Sequence, residues 1–430
     1  MSEESLVTSA RQLLGTTYRH WRDHGLPATA KKAARVLYHG RNHEPEPPVS
    51  AELLLRQRCA ALTPLSTFHV PRPRPRLNLV LDRLTPDHLY GSAGTAVLLA
   101  ALLSEKQGCD LRLLTRQERA DEQAFAQLIR LAGVALPGHV EFRHLDCAAP
   151  ATGIDLGSRE LFLTTSWWTT SATLSAVAPG RVILLLQEDE RLYYPSGDAR
   201  LRCDELLRTP GLTCVVSSKL LFEHLRDSGL ALAQPGGWFE PAFPSAVFFP
   251  RTTGSAASRF CYIARPRSPR HLFYLGITAI EQAIATGILN PQEWDFHFVG
   301  RDIPALRLAG QVAPQLHQDL AGGAFAALAG TVDLGLSLMH SPHPGYSTLA
   351  LAASGAVVIS NRCGVKQSLD SYSGNILCRE PTVDELVTGL EQGVRQAKDR
   401  SRRLQGDLGI LRDWRRALAP VLDSLAGRFA

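Results

Sequence analysis

The chain repeats one pattern twice: short runs of leucine and β-branched residues alternate with helix-length stretches. In the first series the strand candidates are Leu77–Asp82, Leu111–Thr115, Val140–Leu145, Leu161–Thr165, Val182–Gln187 and Leu212–Ser217. Helix candidates fall between them, at Thr95–Ser104, Asp121–Leu131, Trp168–Val177 and Lys219–Leu225. Continuous apolar strands joined by helical crossovers require a parallel sheet covered on both faces. A second series follows, with strands at Phe260–Ala264, Phe296–Val299, Leu334–Leu338, Val357–Ser360 and Asn375–Leu377. Its helices are Arg270–Ala285, Thr348–Ala353 and Val383–Ala397. The segment Gln234–Pro250, rich in Pro, Gly and aromatics, reads as the linker between the two. The predicted class is therefore α/β, with two Rossmann-like doubly wound lobes. The carboxyl ends of both sheets can face the crevice between them, where ligands bind in such folds.

The 430 residues are enough for two or three domains. The expected division is a basic helical extension with linker over 1–76, a first lobe over 77–240, a second over 251–407, and a C-terminal helix over 408–430. Between Arg11 and Arg41 there are seven Lys or Arg and one acidic residue, Asp23, interleaved with Leu, Tyr and Trp. Such a segment, within residues 1–45, either lies on an anionic membrane surface or packs as a helical hairpin with solvated charges. The Pro-Arg alternation over Pro71–Arg76 reads as a stiff spacer. A net charge of +5 is mild and gives no reason to expect a nucleic-acid partner. The eight cysteines are scattered, without a CxxC pair, and read as reduced core thiols. The opening MSEESLVTSARQ has no basic stretch leading into an apolar one, so a cytoplasmic chain is expected, with the inner membrane face as a possible surface.

Two segments carry most of the chemistry. The strand FCYIA runs into Arg265-Pro266-Arg267-Ser268-Pro269-Arg270, with Ser268 placed as an N-cap and Pro269 as the first helical residue. A helix start offers free N–H groups and a positive dipole end. Guanidinium groups suit bidentate phosphate recognition. A solvated basic loop is the alternative, but the position at the carboxyl end of a strand favours a phosphate site. The second segment is Ser337–Asn361, SLMHSPHPGYSTLALAASGAVVISN. Its turn over Gly345, Tyr346, Ser347 and Thr348 can present backbone N–H groups and two hydroxyls to a phosphate. His340 and His343 have a metal-like spacing, but no carboxylate or third histidine is near in sequence, so no metal is expected. His343 reads as a hydrogen-bond donor in the cleft.

Taken together, LNLVLDRLTPDHLYGSAGTA, TTSWWTT, QEDERLYYPSG and HPGYSTLALAASGAVVISN resemble bacterial glycosyltransferase family 4, and within it the rhamnosyltransferases of the rhamnan-synthesis (WsaF) type. The four segments span most of residues 77–361 in matching order. The resemblance implies a GT-B fold and transfer of a hexosyl group, with rhamnosyl the candidate, from a nucleotide sugar such as dTDP-rhamnose, used as substrate, to a saccharide or lipid-linked saccharide. It implies no cofactor and front-face attack with retention. On that resemblance Arg265 and Arg270 fall on the basic pair that holds the donor diphosphate, and Gly91 and Gly94 on a glycine-bearing loop near the donor. His88 would stand on the acceptor side or contact the sugar. Of the acidic triplet Glu188, Asp189 and Glu190, Glu188 or Glu190 would contact acceptor hydroxyls. Trp167 or Trp168 would stack on a sugar, unless it packs in the core. One departure stands out: Ala350 replaces the glutamate that bonds a ribose hydroxyl in the family, and Pro342 stands where its acidic partner would be. That leaves open a non-catalytic partner protein of the same fold. A dinucleotide-dependent oxidoreductase is disfavoured, because GSAG is not GxGxxG and Thr115-Arg116 ends the second strand in place of an acid.

Overall fold

The computed structural model describes residues 50–71, 74–86, 91–136, 138–147, 153–230, 233–251, 257–399 and 409–429. By contacts the chain divides into Met1–Arg58 and Cys59–Ala430. In the first unit the described structure is Ser50 and helix α1, Ala51–Arg58. The basic segment over 11–41 and His88 lie outside the described residues.

The second unit opens with a short strand β1 (Thr67–His69). The first lobe then builds β2 (Arg76–Leu81), helix α2 (Ser92–Gln107), β3 (Asp110–Thr115), α3 (Glu122–Leu131), β4 (Val140–His144), β5 (Ile154–Leu156), β6 (Glu160–Thr164) and α4 (Trp167–Leu174). It continues with β7 (Val182–Leu186), α5 (Asp198–Leu207), β8 (Thr213–Ser217), α6 (Lys219–Asp227) and β9 (Ala233–Phe239). Seven strands form one all-parallel sheet in the order β4-β3-β2-β6-β7-β8-β9. The chain moves outwards from β2 to one edge, returns, and moves from β6 to the other. The switch point therefore lies between the carboxyl ends of β2 and β6. Strands β2, β3, β6, β7 and β8 are buried along their whole length, as their Leu- and Val-rich centres require.

The second lobe comprises β10 (Ser258–Ala264), α7 (Phe273–Ala285), β11 (Trp294–Gly300), β12 (Gln315–Gln318), α8 (Gly322–Ala329) and β13 (Leu334–Leu336). It ends with α9 (Tyr346–Ala353), β14 (Val357–Asn361), β15 (Ile376–Arg379) and α10 (Val383–Ala397). Its six strands are again all parallel, ordered β12-β11-β10-β13-β14-β15, with the switch point between β10 and β13. Helix α11 (Trp414–Leu425) then returns to the first lobe. Leu418, Val421, Leu422 and Leu425 join the same core as Leu77, Leu79 and Leu99.

Three expectations change. The segment read wholly as a linker contributes β9, an edge strand running through Gln234-Pro235-Gly236-Gly237, so the linker begins only after Phe239. Strand β12, Gln-Leu-His-Gln, is an edge strand too polar to stand out as an apolar run. The helix expected from Pro269 starts four residues later. Residues Pro269–His271 form a single 3-10 turn, Leu272 takes a left-handed conformation (φ 49°), and the regular helix runs from Phe273. Ser268 does not cap a helix; its hydroxyl meets His271 Nδ1 at 2.8 Å. All eight cysteines are free. No helix among the described residues is long and apolar enough to cross a membrane.

Candidate active site between the lobes

The carboxyl ends of both sheets border one cavity of about 540 Å³. The first lobe contributes Gly91 and Ser92 at the start of α2, Gln187 and Glu188 after β7, and Tyr193. The second contributes the loops after β10, β11, β12 and β13, which is where its switch point puts them.

Arg270 is the central cation. Its guanidinium carbon lies 4.3 Å from the centre of the Tyr193 ring, across the cleft. Its Nη1 is 3.8 Å from Glu188 Oε2, close enough for attraction but too long for a hydrogen bond. Both Nε and Nη1 are buried and have no hydrogen-bond partner among the described residues. Buried donors left unpaired cost about 1–3 kcal/mol each, so an anionic acceptor belongs beside them. Arg265 lines the same cavity and is exposed there, with protein on its other sides. Burial and the like charges of Arg270 and Arg301 push its pKa down. An arriving anion relieves that repulsion. The other two rim arginines are neutralised, Arg267 by Asp302 at 3.4 Å and Arg301 by Asp319.

His343 forms the facing wall. Its Nδ1 accepts from the Gly345 backbone N–H at 2.9 Å, so the neutral ring carries its proton on Nε2. Burial, with Lys366 and Arg270 nearby, holds its pKa down at about 3, and the imidazole stays neutral at any physiological pH. Nε2 is buried and has no hydrogen-bond partner among the described residues. The turn that follows uses Gly345 at φ 89°, which favours glycine, to enter α9. The first N–H groups of that helix, from Tyr346, Ser347 and Thr348, have no acceptor within the helix. Thr348 differs from expectation in its side chain, for its hydroxyl donates to Ser337 Oγ at 2.9 Å inside the lobe. Ala350, two residues further on, lines the cavity with a methyl group where the family resemblance implies a carboxylate.

Tyr346 lines the cavity, but its hydroxyl is committed elsewhere. It bonds Gln187 Oε1 at 3.0 Å, Thr95 Oγ1 at 3.1 Å and Ser217 Oγ at 3.2 Å, all in the first lobe. Gln187 in turn donates to the Ser92 carbonyl at 2.8 Å, so the turn before α9 is tied to the glycine loop opposite. Tyr346→Phe keeps the ring and removes these bonds. The expected cost is about 1–3 kcal/mol, seen as a lower Tm, together with a larger radius of gyration in small-angle scattering. An unchanged Tm and radius would show that the phenol does not hold the lobes.

The acidic triplet lies past the end of β7, where the chain turns into a 3-10 segment over Glu190–Tyr193, and its three side chains diverge. Glu188 turns into the cleft, where Ser341 Oγ of the second lobe donates to it. Asp189 turns back to Arg191 at 2.8 Å and His224 at 3.0 Å. Glu190 does not face the cavity: its carboxylate accepts the Trp167 backbone N–H at 2.6 Å at the start of α4. Trp167 also leaves the site. Its ring is in the first-lobe core, with Nε1 donating to the Tyr194 hydroxyl at 2.9 Å. Trp168 donates to both oxygens of Asp82, at 3.1 and 2.9 Å. Gly94 is buried within α2, away from the cavity wall, while Gly91 lines it. Among the described residues no three His, Cys, Asp or Glu side chains converge as metal ligands do.

Gln187, Tyr193, Ser341 and Lys366 were missed. The first two sit in the QEDERLYY run singled out for its acids, and their place at a strand end was the available signal. Ser341 lies in the same turn as His343. Nothing local marks Lys366, which is fully buried and donates to the Met339 carbonyl at 2.9 Å.

Two lobes of this topology around such a cleft define the GT-B glycosyltransferase fold. The structure of HepE from Anabaena, solved with UDP and glucose, covers 81% of this chain and 99% of its own at a TM-score of 0.56 and 14% identity. An α,α-trehalose 6-phosphate synthase from Burkholderia multivorans covers 83% and 100% at a TM-score of 0.50 and 11% identity. At these identities the likeness is one of fold. The sequence gives the narrower placement: the WsaF N-terminal domain matches residues 76–199 and the WsaF C-terminal domain residues 258–391. The chain carries both domains in order and belongs to the WsaF family. It is also 26% identical over 254 residues to the O-antigen biosynthesis protein RfbC of Myxococcus xanthus, a match over 56% of this chain and 19% of that protein. The chain thus spans about a fifth of the length of this curated relative.

Proposed function

We propose that this protein is a glycosyltransferase of surface-polysaccharide assembly, which moves a hexosyl group from a nucleoside-diphosphate sugar to a saccharide acceptor. The observation that carries the reading is Arg270: a half-buried side chain in an inter-lobe cleft, beside a second arginine, whose Nε and Nη1 are buried with no hydrogen-bond partner among the described residues. Those groups suit the negative charge that develops on a departing diphosphate. His343 Nε2–H and the N-terminus of α9 add uncharged donors on the same wall. The first lobe takes the acceptor, with Glu188 as the carboxylate within reach of its hydroxyl. The cleft supplies positioning and charge stabilisation, in keeping with front-face attack and retention.

For the donor, dTDP-rhamnose is the proposal. Ala350 gives a ribose hydroxyl nothing to bond, and a 2′-deoxyribose has one hydroxyl fewer to leave unpaired. Calorimetry tests both levels of the reading. dTDP is expected to bind, and to bind about tenfold more tightly than UDP, the order of penalty for one buried unpaired hydroxyl. Equal affinities would overturn the donor assignment alone. Ala350 also favours a second reading, a non-catalytic partner of the same fold, and absence of binding to any nucleotide sugar at millimolar concentration would select it. A lipid-linked acceptor and contact of residues 1–45 with the membrane face belong to the same proposal. Flotation with liposomes of the full chain against one starting at Arg76 tests the membrane part.

A further inference from the structure

Glu188 occupies an unusual position for a carboxylate. It is 4% exposed, it belongs to the first lobe, and its hydrogen-bond donor Ser341 and its nearest cation Arg270 belong to the second. Burial, the largest influence on it, raises its pKa, opposed by Arg270 and Ser341. Its hold on Arg270 is incomplete. At 3.8 Å it offers charge without a hydrogen bond, and Nε and Nη1 of the arginine have no hydrogen-bond partner among the described residues. The carboxylate is therefore anchored by Ser341 and by the Asp189 backbone N–H at 3.1 Å, and only leans on the guanidinium. Arg270 is thus presented with an anion in place but with its best donors vacant.

We infer that Glu188 is a built-in competitor of the donor diphosphate for Arg270. A diphosphate that takes Nε and Nη1 of Arg270 meets a carboxylate 3.8 Å from one of them, Nη1. Like charges brought together in a poorly hydrated site repel strongly. Donor binding must draw Arg270 away from Glu188, and the carboxylate, relieved of its cation, is left to the acceptor hydroxyl. Glu188 is a positioning residue in this scheme: it makes the donor site weaker than its arginines alone would make it, and it couples donor arrival to readiness for the acceptor. The inference rests on the diphosphate reading of the cleft and goes beyond it.

The sign of the effect distinguishes this role from a structural one. Glu188→Gln keeps an oxygen for Ser341 and removes the charge. It is expected to bind dTDP and inorganic pyrophosphate more tightly than wild type, by on the order of tenfold, while thymidine, which has no phosphate, binds unchanged. Turnover is expected to fall despite the tighter donor. A residue that merely supported the fold would weaken all three ligands when replaced. Unchanged or weaker dTDP and pyrophosphate binding by the variant overturns the inference, with wild-type binding intact. Failure of wild type to bind either ligand overturns the diphosphate reading instead. Should Glu188→Gln not fold by circular dichroism, Glu188→Ala removes the same charge and carries the same expectation.

Discussion

Replacing Arg270 with alanine is expected to lower the rate of sugar transfer by about 10²–10³-fold, the usual penalty for removing one preorganised donor from a site of developing negative charge. Circular dichroism should be unchanged, because the guanidinium packs over Tyr193 at the cavity wall and not in a core cluster. Arg265→Ala acts in the same direction, but it also removes a like charge from beside Arg270, and the Arg265 residue is the more exposed of the two. Arg270 should therefore be the more sensitive position. Lysine at 270 restores charge without the planar fork that presents Nε and Nη1 together, so only partial recovery is expected. Steady-state turnover with the nucleotide sugar decides the matter, and wild-type rates in both alanine variants would contradict the assignment.

The second large effect is on stability and depends on pH. Burial raises the pKa of Glu190 from an ordinary 4.5 to about 8, with the Trp167 N–H working against it and Asp82, Glu188 and Asp189 adding to it. The folded chain thus holds a proton that the unfolded chain releases above about pH 4.5. The stability this provides is fully present below that pH, is lost progressively as pH rises, and is gone by about pH 8. Glu190→Gln removes the titration and keeps an acceptor for Trp167. Its stability relative to wild type is expected to rise from near zero at pH 5 to a few kcal/mol at pH 8.5. Denaturant unfolding at both pH values measures the difference, and parallel pH curves for the two proteins would show that Glu190 is not held protonated.

Much of this architecture is written plainly in the sequence, and the exceptions share a cause. Strands such as Val182–Leu186 are apolar throughout because helices cover both faces, so their pattern needs no tertiary information. Edge strands have one side without a neighbour. They tolerate Gln315–Gln318 and the Pro-Gly-Gly of β9, which look like loops. The site follows the same logic. Arg265, Arg270 and His343 were legible because each sits just past the carboxyl end of a strand flanking a switch point. Which way a side chain turns after the strand ends was not legible. Glu188 enters the cleft and Glu190, two positions on, caps Trp167 in the core, a difference set by the packing of α4 against β6 and β7. Tyr346 is a third case: a residue placed in the cavity by sequence turns out to spend its hydroxyl on the opposite lobe, and only the relative placement of the lobes reveals it.

A crystal structure with dTDP bound tests the central claim most directly. The account predicts the diphosphate in the inter-lobe cavity, with phosphate oxygens at hydrogen-bonding distance from Arg270 Nε and Nη1, and Arg265 turned towards them. Nucleotide bound at another place, or in the cavity with its phosphates away from both arginines, would contradict it.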